Sequence, residues 1–171
     1  DTTDLPVERI SDDTGNSLSF TRDENGLCRI ESSGAVIAVR SQDSLIHAMQ
    51  LVIDGEEPKT LVSYHYTEDG ELLAAVDPLG ASNTFTYEDR RMTSHTDRNG
   101  LGFHFRYDET GRCVHTKGDG GLHEYTFIYN DPEKTTLAKN AHGHVTTIRF
   151  DDNNLLLEKT DPPGNTTRYE Y

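Results

Sequence analysis

The sequence has 171 residues, of which only 33% are apolar and none is tryptophan, which excludes a thick, many-layered core and favours a thin or elongated fold. Thirty acidic residues against 16 basic ones give a net charge of -14, and that balance argues against nucleic acid or an anionic lipid surface as partner. Cys28 and Cys113 have neither CxxC nor metal-ligand spacing, so both read as reduced thiols, and no apolar run approaches the ~18 residues of a membrane span.

Along the chain, residues 1–15 are rich in Asp and Thr and read as irregular or as one weak strand. Asp1 follows no charged n-region or apolar h-region, so the chain reads as a segment of something longer. Phe20 and Gly34 follow at a separation of 14. Residues 36–39 and 45–53 read as a degenerate hairpin, because the 46 residues from Phe20 to Tyr66 are close to two repeats; a short helix over 44–52 is the competing reading. Residues 1–60 therefore form an irregular N-terminal segment with degenerate repeats, and 61–171 a regular array.

The array is legible from its last aromatic per strand. Tyr66, Tyr87, Tyr107, Tyr129, Phe150 and Tyr171 are separated by 21, 20, 22, 21 and 21 residues. A turn glycine trails each of the first five at 14 or 13 residues: Gly80, Gly100, Gly121, Gly143 and Gly164. In "FHFRYDETGRC" the aromatics Phe103, Phe105 and Tyr107 alternate with His104, Arg106 and Asp108, the period-2 pattern of a half-buried strand. Inner turns "TEDGE", "DETGR" and "DDNN" supply residues that tolerate positive φ. Outer turns DPLG, DRNG, GDGG, NAHG and DPPG suit a type I turn with Gly at its fourth position. The fold class is all-β: sequential antiparallel hairpins whose aromatic rows are expected to stack across neighbouring strands and to be at least half buried.

These units resemble the YD repeats of the rearrangement-hotspot (Rhs) family, roughly G-x-x-x-x-Y-x-Y-D-x-x-G-R-L-x-x-x-T-D-P-x-G. "YDETGRCVHTKGDGG" at 107–121 and "YHYTEDGELLAAVDPLG" at 64–80 carry the match, with weaker copies in "FDDNNLLLEKTDPPG" and "YNDPEKTTLAKNAHG". The resemblance is strong over 61–171 and implies a β-sheet that coils into a hollow cocoon. In bacterial polymorphic toxins and insecticidal toxin complexes such a shell encloses a C-terminal toxic domain, often for type VI secretion; in animal teneurins it is an extracellular barrel. The implied partners are the remaining shell, the enclosed toxin and secretion spike proteins of VgrG/PAAR type, and the implied location is secreted. About 15 strands at ~4.8 Å span ~70 Å, about half the ~140 Å circumference that a ~100-residue cargo requires. The expectation is an arc of wall, not a complete shell.

No residue pattern assigns catalysis, a cofactor or a metal. His142 and His144 flank the turn glycine Gly143 without a third ligand at fixed spacing. His95 and His115 each fall eight residues after an anchor and are expected to form a stacked surface pair. There is no GxSxG elbow, and acid pairs such as Asp12 with Asp13 or Asp151 with Asp152 read as turn formers. The run Asp54, Glu56, Glu57 lacks calcium-loop spacing. The main reading is a structural encapsulation module; the alternative is an extracellular adhesion module recognising carbohydrate or a protein partner. An autoprotease is disfavoured because the DPxG copies serve as repeat turns. Far-ultraviolet circular dichroism is expected to show a β-dominated spectrum with less than about 10% helix.

Overall fold

The computed structural model describes residues 6–171, and among these every regular element is a strand apart from one turn of 3-10 helix at Asp119–Gly121. Two compact units divide the chain, Asp1–Thr84 and Phe85–Tyr171. The first holds β1 (Arg9–Ser11), β2 (Ser17–Asp23), β3 (Gly26–Ser32), β4 (Ala35–Gln42), β5 (Leu45–Val52), β6 (Lys59–Tyr66), β7 (Leu72–Val76) and the start of β8 (Ser82–Glu88). The second continues with β9 (Arg91–Thr96), β10 (Gly102–Tyr107), β11 (Cys113–Gly118), β12 (Tyr125–Asn130), β13 (Thr135–Asn140), β14 (Val145–Phe150), β15 (Leu156–Thr160) and β16 (Thr166–Arg168). Strand order follows the chain from β1 to β16 without a crossover, and the pairing is antiparallel. Residues 1–5, which belong to the expected irregular start, lie outside the described residues.

Within 44–52, Leu45–Val52 is strand β5, paired with β4 through a turn at Asp43 and Ser44, both with positive φ. The competing short helix is therefore overturned. Its apolar run, Leu45, Ile46, Ala48, Met49, Leu51 and Val52, suits either period, and pairing on both sides decides for the strand.

Residues opposite each other across a ladder share a face. In the first unit Phe20, Ile30, Ile37 and Leu51 line up across β2 to β5 as one apolar row. On the other face Thr21, Arg29, Ala38 and Gln50 line up instead. The second unit repeats the division: Phe127, Ala138 and Thr146 on one face, His115, Thr126 and Lys139 on the other. Among the described residues neither unit contains a second layer of regular elements. Among the described residues only Val39 and Ala138 are buried apolar side chains, at 6% and 8% exposure. Half-buried apolar side chains then contribute on the order of 1 kcal/mol each rather than the full value of a core residue.

Several turns at both ends of the hairpins share one design. Asp77 accepts the amides of Leu79 and Ala81 on Oδ1 at 2.9 and 3.0 Å, while its carbonyl accepts the Gly80 amide at 3.0 Å. Asp97, Asp108, Asn140 and Asp151 repeat the pattern of two amides on one side-chain oxygen. Gly80 has φ of 85° with open space around a would-be Cβ, so backbone conformation and not crowding reserves the site for glycine.

The anchor rings do not stack on one another in rows as the sequence suggested, because anchors occupy every second strand, about 9.6 Å apart, beyond the 4.5–7 Å of ring contact. They contact the strand between. Phe85 stacks on His95 at 4.9 Å, the His47 ring meets Tyr66 edge-on at 5.3 Å, and the Arg112 guanidinium lies 4.6 Å over Tyr129. More telling, the tyrosine hydroxyls donate backward to a main-chain carbonyl: Tyr66 to Ile46 at 2.6 Å, Tyr107 to Met92 at 2.7 Å and Tyr129 to Cys113 at 2.6 Å. Each bond lies beyond the end of its ladder. The β5–β6 pairs stop at Ala48 with Ser63, the β9–β10 pairs at Ser94 with His104, and the β11–β12 pairs at His115 with Thr126. Ile46 and Cys113 also precede the residues that the register skips, His47 and Val114, where a bulge loosens the strand. In contrast the β13–β14 ladder runs through Thr135 with Arg149, and its anchor is Phe150, which has no hydroxyl. Tyrosine stands where the ladder stops short. Tyr107→Phe is accordingly expected to cost about 1 kcal/mol in chemical denaturation, whereas Phe150→Tyr is expected to gain nothing measurable, because no carbonyl there needs a donor.

Candidate functional site

The anchors and turn glycines named from the sequence fall on two positions of the repeat. Phe20, Tyr66, Tyr87, Tyr107, Tyr129 and Phe150 lie in or at the ends of strands and are half-buried, whereas Tyr171 is 80% exposed. Gly80, Gly100, Gly143 and Gly164 sit at left-handed turn positions, and Gly34 in a turn without positive φ. Gly121 differs: GDGG is not the five-residue turn of the other repeats but a 3-10 turn with Gly120, Gly121 and His123 all left-handed. Its closure needs Gly118, where a Cβ would meet the Leu122 carbonyl oxygen at 2.8 Å.

Burial pushes the hydroxyls of Tyr66, Tyr107 and Tyr129 up from the ordinary tyrosine value, which keeps them protonated as donors. The turn carboxylates move the other way. Asp108 is lowered to about 2, first by its bond from the Thr110 hydroxyl and then by the Arg112 amide. Asp12 is lowered to about 2 by the Asn16 side chain and then the Thr14 hydroxyl, and Asp97 is lowered by the amides of Leu101 and Asn99.

The histidines do not assemble a site. His95 pairs with Phe103 and His115 with Arg106, residues on opposite faces of β10, so the expected His95–His115 surface pair is not formed. β10 lies between their strands, and equal distance from an anchor does not ensure the same face once Val114 shifts the register. His142 and His144 flank the outer turn with ring centroids 6.2 Å apart, their amides both bound to Asn140. Two imidazoles are held by carboxylates, His104 by Asp119 at 3.1 Å and His115 by Glu124 at 3.0 Å. A thiol nucleophile would have to join them. Cys113 faces Tyr107 on the other side of the sheet from His115, and its Sγ lies 3.5 Å from the His115 carbonyl oxygen. Among the described residues no group of three or more His, Cys, Asp or Glu could hold a metal ion, and no helix is long and apolar enough to cross a membrane.

The sequence did not single out Arg112, Asp119 or Glu124. Arg112 bonds Asp131 at 2.6 Å and Asp108 at 3.3 Å while covering Tyr129, and Arg112, Tyr129, Asp131, Lys134, Phe150 and Asp151 line an open groove of about 440 Å³. The "GR" of the YD unit was the only signal for Arg112; Asp119 and Glu124 act across strands and leave none.

No protein-family model matches the chain. It is 28% identical over 168 residues to the probable deoxyribonuclease RhsB of Dickeya dadantii (strain 3937), covering 96% of the chain and 12% of that protein. It is 30% identical over 154 residues to the double-stranded DNA deaminase toxin A of Burkholderia cenocepacia (strain H111), covering 85% of the chain and 11% of that protein. The chain thus spans about a tenth of the length of these relatives. Among solved structures, TcdB2-TccC3 without its hypervariable C-terminal region shares the fold with a TM-score of 0.64 at 14% identity, covering 92% of this chain and 10% of that one. The Tc holotoxin pore of Photorhabdus luminescens gives 0.61 at the same identity and coverage.

Acid stability is the readout of the turn carboxylates. With folded values below the ordinary 3.8, their contribution is complete above about pH 4 and is lost as pH falls toward about 2. Asp108→Asn, which copies the bonding that Asn140 already shows, is expected to keep most of the melting temperature at pH 7 and to flatten the acid limb, whereas Asp108→Ala lowers the melting temperature at both. The repeat, the hairpin fold and the shared sequence place this chain in the Rhs/YD-repeat family.

Proposed function

We propose that this chain is a stretch of wall in an Rhs shell that encloses a C-terminal toxic domain for delivery. The single layer carries the reading: within each unit the strands form one sheet without a second layer, and among the described residues almost nothing is buried. A sheet of this kind gains stability when it is continued on its edges and when one face closes over a volume, which is how a wall differs from an independent domain. The partners are then the remaining repeats, the enclosed toxin and, for type VI export, spike proteins of VgrG/PAAR type; an insecticidal toxin complex is the other route. On this reading the protein is secreted, residues 1–60 lead into the array of 61–171, the aromatic anchors and turn glycines are structural, and toxic or autoproteolytic chemistry lies outside these residues. The relatives' names, a deoxyribonuclease and a DNA deaminase toxin, describe whole proteins about ten times longer and support a cargo of that kind.

One observation favours a second reading, an extracellular binding module. The groove beside Tyr129 and Phe150 combines aromatic surface with Arg112 and Asp131, a setting that suits carbohydrate.

Cysteine accessibility in the full-length protein separates the two. With Cys28 and Cys113 replaced by Ser, His104→Cys and Phe105→Cys report the two faces of β10. A closed wall is expected to leave one of them unlabelled by a polyethylene-glycol maleimide of about 5 kDa while the other reacts. Equal labelling of both faces overturns the shell, and glycan-array binding lost in Arg112→Ala would then support the module.

A further inference from the structure

We infer that the β11–β12 seam is a side-chain-clasped hinge, the place where the run of strands from β10 to β15 opens first. This inference stands on the pairing within that run and does not depend on what the wall encloses. The β12–β13 ladder holds six register pairs and β13–β14 five, whereas β11–β12 holds two, His115 with Thr126 and Thr116 with Tyr125. Strand length is not the reason, since β11 and β12 each have six residues. The connection is. After Gly118 the chain turns back, its amide bonding the Leu122 carbonyl at 2.7 Å, and the left-handed residues Gly120, Gly121 and His123 carry it away from the ladder. Asp119 fastens this loop to β10 instead, accepting the Gly102 amide at 2.8 Å and bonding His104 at 3.1 Å.

Side chains make up the missing ladder. Glu124, just before β12, reaches back to His115 at 3.0 Å and to Lys117 at 4.0 Å, Arg112 reaches forward to Asp131 at 2.6 Å, and the Tyr129 hydroxyl bonds the Cys113 carbonyl at 2.6 Å. The Arg112–Asp131 and Lys117–Glu124 pairs are open to solvent, and such ion pairs are weak and salt-sensitive next to main-chain pairs that a sheet protects cooperatively. A sheet with full ladders on one side and a clasp on the other yields at the clasp. The hairpins before and after the seam can then change angle while their own ladders stay intact.

Amide hydrogen exchange on the 171-residue chain tests this without any mutation. Protection of the Tyr125 amide, which faces β11, is expected to be roughly tenfold lower than that of Thr126 and Ile128, whose amides face β13, and to fall further at high salt. Glu124→Gln, which removes the carboxylate that His115 and Lys117 both contact, is expected to speed exchange of the seam amides roughly two- to fivefold. Glu158→Gln, on the β14–β15 ladder, should leave them unchanged. Equal protection on both sides of β12 in the unmutated chain overturns the hinge, and so does a Glu124→Gln effect spread evenly over the second unit.

Discussion

A sheet of one layer has no second layer to hold it, and this constraint shapes the rest of the structure. In a two-layer domain, side chains from the facing layer fix where strands sit; here a strand can be fixed only by its turns and its immediate neighbours. Backbone ladders do most of this, and where a ladder stops short a tyrosine hydroxyl closes the gap, as at Tyr66, Tyr107 and Tyr129. The anchor ring matters for the reach it gives that hydroxyl as much as for the area it covers. Phe150, beside a ladder that runs to its end, shows that the ring alone suffices when nothing is left unpaired.

The same constraint sorts the charge. Among the described residues only four acidic ones, Asp23, Glu31, Glu88 and Glu158, lie in strands, and only four basic ones, Arg90, Arg98, Arg112 and Lys134, lie outside them. Acids gather in the turns because a carboxylate there accepts two amides of its own loop, while Lys and Arg lay their aliphatic stems along an open face that no other layer covers. The net charge of -14 is therefore a property of the strand ends. The faces between them carry more positive than negative side chains, which the bulk charge conceals.

A wall assembled from near-identical hairpins would be uniform if every connection were the same. GDGG breaks the uniformity. It leaves two main-chain register pairs at the β11–β12 seam and adds side-chain contacts from Glu124 to His115 and Lys117. Variation along a repeat array thus lies in its connections and not in its strands.

The sequence by itself determined the repeat, the antiparallel hairpins and the positions of the turns. These rest on interactions within about five residues: alternation along a strand, two amides on Asp77, a positive φ at Gly80. It also carried the family, since the YD unit is such a local pattern. Only the tertiary structure decided the partners of the tyrosine hydroxyls, the opposite faces of His95 and His115, and the roles of Asp119 and Glu124. Each of these depends on which residue of one strand lies opposite which residue of the next. A single bulge such as that at Val114 moves every later side chain to the other face, and nothing within the strand's own sequence announces it.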